Sequence, residues 1–328
     1  MADTIALVGG ETLLGRDVVE VFGESSMGQQ LRLVAAEAEE TGKLTVVGDT
    51  PSFLSKLDPD ALEDAAVVIL AGSRKSTEDA MATKPSGLIV DLTGALEENT
   101  DAQLRSPLAE GAEFRPDETG PQVVAHPAAT AIALVMSRLH RAYPIARAIV
   151  HVFEPASERG KAGIEELQQQ TVNLFAFQPM PKKVFDAQAA FNMLPQWGEE
   201  AGGTLLEVEE RIERHLASLL ERMESLPMPS LRLIQAPVFH GYTFSFWVDF
   251  EDDVSAADVE EALSGDPFDL RISGVEAPSN VGMAGQSGIA VGAITPDRNS
   301  ANAMWIWAAA DNLRIAAESA ALIVREAL

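Results

Sequence analysis

No cysteine occurs anywhere in the 328 residues. Disulfides, thiolate nucleophiles, iron–sulfur clusters and cysteine-ligated zinc are thereby excluded. Positive charge is scarce: 24 Lys and Arg stand against 50 Asp and Glu, a net charge of −26. Such a field repels phosphate backbones and anionic headgroups, so neither nucleic acid nor a membrane surface is an expected partner. Histidine is limited to His126, His140, His151, His215 and His240. None pairs as HxxxH or HExxH, so no histidine-based metal site is expected. No run of about 18 apolar residues is present, and the opening MADTIALVGG lacks a basic stretch followed by an apolar one. The expected location is therefore the cytoplasm. Core material is plentiful: 46% of residues are apolar, which excludes a disordered chain. At about 150 residues per domain, the length suits two domains.

The first part alternates strand and helix patterns. TIALV at residues 4–8 is a short apolar strand that runs into a glycine turn and an amphipathic stretch at 16–22. Residues 31–36, 67–71 and 88–92 are further apolar runs, and Val123 and Val124 sit in one more. Runs without alternation suit strands buried on both faces of a parallel sheet, and their spacing by helical patterns implies a doubly wound α/β domain of Rossmann type. After about Tyr143 the pattern changes. Residues 146–153 are strand-like, and Ile164, Leu167, Thr171 and Leu174 recur at helical spacing. Leu205, Val208, Ile212, Leu216, Leu219 and Met223 form a long apolar helix stripe. In TFSFWVDF, Phe244, Phe246, Val248 and Phe250 alternate with polar or amphipathic neighbours, the mark of an antiparallel strand with one covered face. Ser255 caps a helix through about Leu263. The expectation here is an α+β domain with a mainly antiparallel sheet. A last helix carries Leu313, Ala317, Ala320 and Val324 on one face.

The glycine turn, GGETLLG at residues 9–15, is the first place to look for a ligand. A turn of this kind lets a pyrophosphate sit on a helix N-terminus. Gly9, Glu11, Thr12, Leu13 and Gly15 are its candidate binding residues. Thr12 replaces the middle glycine and crowds that place, and Glu11 adds a negative charge, so a tight turn without ligand is an equal reading. Glu37 and Glu39 fall near the end of the second strand, where an acid takes a ribose hydroxyl. No arginine is there for a 2′-phosphate, which favours NAD over NADP if either binds.

Nine motifs then occur in a consistent order: the turn at 9–15; Ala71-Gly72-Ser73; DLTGAL at 91–96; His126-Pro127-Ala128-Ala129-Thr130; GIEEL at 163–167; FNMLPQ at 191–196; Pro237-Val238-Phe239-His240-Gly241; Ala284-Gly285-Gln286-Ser287; and Ala310-Asp311-Asn312-Leu313-Arg314. Together they resemble the aspartate-semialdehyde dehydrogenase family over almost the whole length. The resemblance implies a homodimer built on the second domain, a nicotinamide dinucleotide contacted also by Ser73 and Asn312, and amino-acid biosynthesis as the family's setting. It also implies a thioacyl mechanism that this chain lacks the groups to perform. The family's nucleophilic cysteine falls on Ala129 and its histidine base on Tyr242. Its substrate arginine falls on Gln235, its phosphate arginine on Glu97, and its substrate-facing glutamine on Glu154. No lysine occurs in the 206–210 stretch, where the family has one. His240, two residues before Tyr242, either faces the cleft from the same side of a strand or is satisfied locally.

Two readings result. The first is a non-catalytic, cysteine-less paralogue, dimeric, with a binding or regulatory role or an association with an active dehydrogenase relative. No catalytic residue is expected on that reading. The second is an oxidoreductase that passes hydride to a nicotinamide cofactor without a thioacyl intermediate, using Tyr242, His240 or Glu154 as acid or base. The expected domains are 1–126 with 311–328 (dinucleotide-binding type), 127–300 (dimerisation), and 301–310 as a returning strand. The interface is expected to be isologous, on the second domain's sheet and the helix over 204–223.

Overall fold

The computed structural model describes residues 4–36, 39–42, 44–48, 50–111, 114–116, 120–223, 225–272 and 274–328. The chain divides into two compact units, residues 1–125 with 316–328, and residues 126–315. In chain order the first unit holds β1 (Thr4–Val8), α1 (Leu13–Gly23), β2 (Leu31–Val34), β3 (Leu44–Val47), β4 (Thr50–Phe53), α2 (Pro59–Leu62), β5 (Ala65–Leu70), α3 (Arg74–Ala82), β6 (Leu88–Asp91), β7 (Gln103–Arg105), α4 (Pro107–Glu110) and β8 (Gln122–Val124). Its main sheet runs β2-β1-β5-β6-β8-β7, and every pairing is parallel. The uninterrupted apolar runs have a direct cause. Ile5 and Leu7 of β1 and Val67 and Ile69 of β5 pack into one core. Ala6, Val8, Val68 and Leu70 pack into a second core on the opposite face. Both faces are covered, so neither can be polar. The C-terminal stretch returns to this unit, with Ala317, Ala320, Ile323 and Val324 joining Val18 and Phe22 of α1 in the first core. A small antiparallel hairpin, β3 with β4, lies beside the sheet.

The second unit holds α5 (Pro127–Ala142), β9 (Ile145–Glu154), α6 (Gly160–Phe175), α7 (Leu205–Leu220), β10 (Ser230–Gln235), β11 (Tyr242–Phe250), α8 (Ala256–Ala262), β12 (Phe268–Arg271), α9 (Asn280–Met283), β13 (Ile289–Pro296), β14 (Ala303–Ala310) and the first turn of α10 (Asn312–Ala327). Its sheet runs β10-β9-β11-β14-β13-β12, antiparallel in the middle and parallel at each edge. Tyr242, Phe244, Phe246, Val248 and Phe250 of β11 are all buried, and Ser245, Trp247 and Asp249 between them are partly open. The 301–310 stretch contains β14. That strand pairs on both sides, Ala308 opposite Phe244 and Ala308 opposite Val291. α7 begins with a reciprocal cap between Thr204 and Glu207 and buries Leu205, Ile212, Leu216 and Leu219. Glu209 on that helix accepts from the Leu233 amide and approaches Arg232, which fixes α7 to β10.

Candidate functional site

The second unit gathers a buried polar cluster around the start of α5. His126 caps that helix: its Nδ1 accepts from the Ala128 amide at 3.3 Å. Its own backbone N–H donates to Nδ1 of His215 on α7, 89 residues away, at 2.9 Å. Burial first, with Arg211 and His215 adding to it, holds the His126 imidazole well below its ordinary pKa. The ring is therefore neutral, and because Nδ1 accepts, its proton sits on Nε2. That nitrogen lies 3.9 Å from a Glu158 carboxyl oxygen. Ala129, three residues into the cap, is fully buried and presents a methyl group.

Glu158 is held by Asn312, whose Nδ2 donates to it at 2.8 Å. Asn312 Oδ1 in turn accepts from Ser157 Oγ at 3.1 Å and from the Gly241 amide at 3.2 Å. Burial raises the Glu158 pKa, and the Asn312 bond opposes the rise. Tyr242, at the start of β11, is fully buried with its ring 6.1 Å from that of His126. Burial and the nearby Glu158 and Glu154 push its phenol well above its usual range. Glu154, the last residue of β9, is fully buried, and neither carboxyl oxygen has a hydrogen-bond partner. Burial, then the like charge of Glu158, raises its pKa well above the carboxylate range, against the opposing pull of Arg159. Arg211 of α7 supplies the positive charge facing His126, Glu158 and Tyr242. The arrangement raises the pKa of both buried acids and carries no nucleophile at Ala129.

Gln235 is not an open substrate clamp. Its Nε2 donates to the carbonyls of Glu154 (2.9 Å) and Ala236 (3.2 Å), and its Oε1 accepts from the Trp197 indole at 3.0 Å. Its backbone also exchanges two bonds with Leu194, which ties the FNMLPQ motif to the end of β10. The side-chain amide is thus fully used inside the unit. His240 lies in a bend before β11, so the same-face argument that needed it within a strand does not apply. Sequence reasoning brought Ala129, Tyr242, Gln235 and Glu154 to this region. It missed Glu158 and Arg211 as members, and the His126–His215 bond. The one signal for them was His126, inside a quoted motif.

The glycine turn belongs to the first unit. Gly9 has φ +93°, and a Cβ there would stand 2.6 Å from the Gly72 amide nitrogen. Gly15 is equally constrained, since a Cβ would meet the Gly9 carbonyl. Thr12 is the N-cap of α1: its hydroxyl oxygen accepts from the Gly15 amide at 2.9 Å and lies 2.9 and 2.8 Å from the carbonyls of Gly9 and Ala71. Leu13 is the first helical residue. Glu11 pairs with Arg16 at 3.0 Å. Glu39 reaches back onto the turn, its Oε1 accepting from the Glu11 amide at 2.8 Å. Glu37 lies outside the described residues. Ser73 caps α3 in a reciprocal box with Ser76. Glu97 sits in the turn after β6, which Asp91 organises by accepting from the amides of Thr93 and Leu96. The residues of the glycine turn do not fit a pyrophosphate as they stand: one amide is already given to a carboxylate, and Glu11 adds another negative charge beside it. Among the described residues no group of three or more His, Asp and Glu is placed to hold a metal, and no helix is long and apolar enough to cross a membrane.

Comparison with known proteins agrees with this architecture. Residues 136–315 match the family model described as semialdehyde dehydrogenase, dimerisation domain. Aspartate-semialdehyde dehydrogenase of Rickettsia bellii is 26% identical over 94% of this chain and 93% of its own length. The USG-1 protein homolog of Pseudomonas aeruginosa is 27% identical over 99% and 97%. A solved structure of a probable aspartate-semialdehyde dehydrogenase from Pseudomonas aeruginosa shares the fold, with TM-score 0.82 and 24% identity over 99% of this chain and 98% of that one. The chain belongs to the semialdehyde dehydrogenase family.

Proposed function

We propose that this protein is a non-catalytic member of its family, a cytoplasmic homodimer with a binding or regulatory role that associates with a second copy of itself or with an active dehydrogenase. The observation that carries the reading is the methyl group of Ala129 at the start of α5, where a thioacyl mechanism needs a nucleophile. Gln235 supports it: its amide is spent on Trp197 and two carbonyls. A carboxamide also lacks the bidentate, charge-assisted grip of a guanidinium on an anion. The match to a dimerisation domain supports the homodimer. The oxidoreductase reading is weaker, because Tyr242 and Glu154 are fully buried and closed to a substrate.

The test is phosphate-dependent oxidation of aspartate semialdehyde with NAD or NADP, at high protein concentration. The expected rate is background; turnover by the wild-type protein overturns the reading. Sedimentation at micromolar concentration is expected to give a species of twice the 35.0 kDa chain, and a 35.0 kDa species alone removes the dimer.

A further inference from the structure

We propose that the Glu39 carboxylate is a built-in occupant of the glycine turn, standing in for a phosphate group and closing the turn to dinucleotides. The inference does not rest on the non-catalytic reading, since it concerns the first unit alone.

Backbone amides at a glycine turn and the first turn of a helix attract anions, because their N–H groups are unpaired within the helix and the helix dipole is positive there. α1, eleven residues long, begins at such a turn. In this chain an anion is already in place, and it is a side chain. Glu39 Oε1 accepts from the Glu11 amide at 2.8 Å, and Glu39 Oε2 accepts from the Ala36 amide, just beyond β2, also at 2.8 Å. A further bond from the Glu39 amide to the Ala36 carbonyl at 2.9 Å bends the chain so that the side chain reaches back. The carboxylate thus bridges the two backbone segments between which a phosphate-bearing ligand would lie. Both bonds are charge-assisted, and both are intramolecular, so an incoming phosphate competes against a partner at high effective concentration.

Two neighbours reinforce the closure. Thr12 fills the place of the middle glycine, and its hydroxyl is committed to the Gly15 amide and the Gly9 and Ala71 carbonyls. Arg16, the cation nearest in sequence to the turn, is paired with Glu11 at 3.0 Å. A dinucleotide must therefore displace Glu39, pass the Thr12 side chain and bring its own negative charge beside two carboxylates. The usual role of an acid at this position, accepting a ribose hydroxyl, is the rival assignment.

Calorimetric titration of the full-length protein with NAD and with NADP separates the two. The comparison uses wild type, Glu39→Gln, Glu39→Ala and the double variant Glu39→Gln with Thr12→Gly, each checked for folding by its thermal melt. Glu39→Gln keeps the shape and one carbonyl acceptor for an amide, so it tests the charge without emptying the space. The expected result is no wild-type binding at millimolar cofactor and at least a tenfold gain in affinity for the Glu39 variants. The gain is expected to increase with Thr12→Gly and to be reversed by inorganic pyrophosphate. Wild-type binding at micromolar cofactor that Glu39→Gln weakens assigns Glu39 to the ribose and overturns the proposal. Folded variants that all fail to bind also overturn it, because the carboxylate is then not what closes the turn.

Discussion

Replacing Glu154 with glutamine tests whether a neutral acid is built into the second unit. Glu154 has no exposed surface, and both of its carboxyl oxygens are without hydrogen-bond partners. Burial and the like charge of Glu158 raise its pKa well above the ordinary range, and Arg159 opposes only in part. Just above the ordinary carboxylate range the folded protein then holds a proton that the unfolded chain has released. The folded state binds more protons, so stability falls as pH rises. The loss begins at the ordinary carboxylate pKa of the unfolded chain and continues up to the folded titration point, at about 1.4 kcal/mol per pH unit. Below the ordinary range the carboxyl is protonated in both states and contributes no slope. The carboxamide of the Glu154→Gln variant has the same shape and no proton to lose. It adds a fixed desolvation cost of about 1–3 kcal/mol if unpaired, but that offset does not change with pH. The readout is therefore the difference in slope. At about 2–4 °C per kcal/mol for a unit of this size, the melting temperature of wild type should fall by roughly 3–5 °C per pH unit relative to Glu154→Gln across the mildly acid range. Scanning calorimetry of both proteins from about pH 4.5 to 7, the window just above the ordinary carboxylate pKa, measures this. Parallel profiles would show that Glu154 is ionised in the folded protein, and would refute the reasoning.

Gln235→Ala removes the acceptor of the Trp197 indole and leaves a small void, and is expected to cost about 2–4 kcal/mol in urea unfolding; a cost under about 1 kcal/mol would mean the amide is not a structural tie. Tyr242→Phe deletes a buried hydroxyl without a well-formed hydrogen bond, and is expected to change stability by less than about 1 kcal/mol; a loss above about 2 kcal/mol would reveal a bond from Tyr242 to Glu158. Ala129→Cys places a thiol in a fully buried position, and is expected to react with a thiol reagent far more slowly than the unfolded protein does. The same variant should show no semialdehyde oxidation, since Tyr242, Gln235 and Glu97 still lack the partner chemistry.

The parts of this molecule legible in its sequence are those where burial imposes a period. β1 and β5 read as strands because both of their faces enter a core. β11 alternates because one face is covered, and α7 carries an apolar stripe because one side packs inward. β10, β12 and β13 carry no such signal, being short or half-exposed, with boundaries set by their neighbours in the sheet. Leu44, Val46 and Phe53 of the β3–β4 hairpin are exposed apolar residues that follow no burial pattern at all. The site divides along the same line. Motif order pointed to Ala129, Tyr242, Gln235 and Glu154, because the resemblance that marks them is local. The bonds that surround them and the glycine turn span long separations: His126 to His215 over 89 residues, Glu158 to Asn312 over 154, and Glu39 to Glu11 over 28. No local period encodes them. The difference matters for what the substitutions mean. An arginine lost by drift would leave a gap or an unpaired group, whereas Gln235 has every polar atom of its side chain bonded, and its backbone is paired with the FNMLPQ segment. Likewise the glycine turn has a carboxylate of its own where an anion is favoured. Gln235 and Glu39 are thus taken into the internal bonding of their own units. Gln235→Arg accordingly breaks the Trp197 tie before the new side chain can hold any anion.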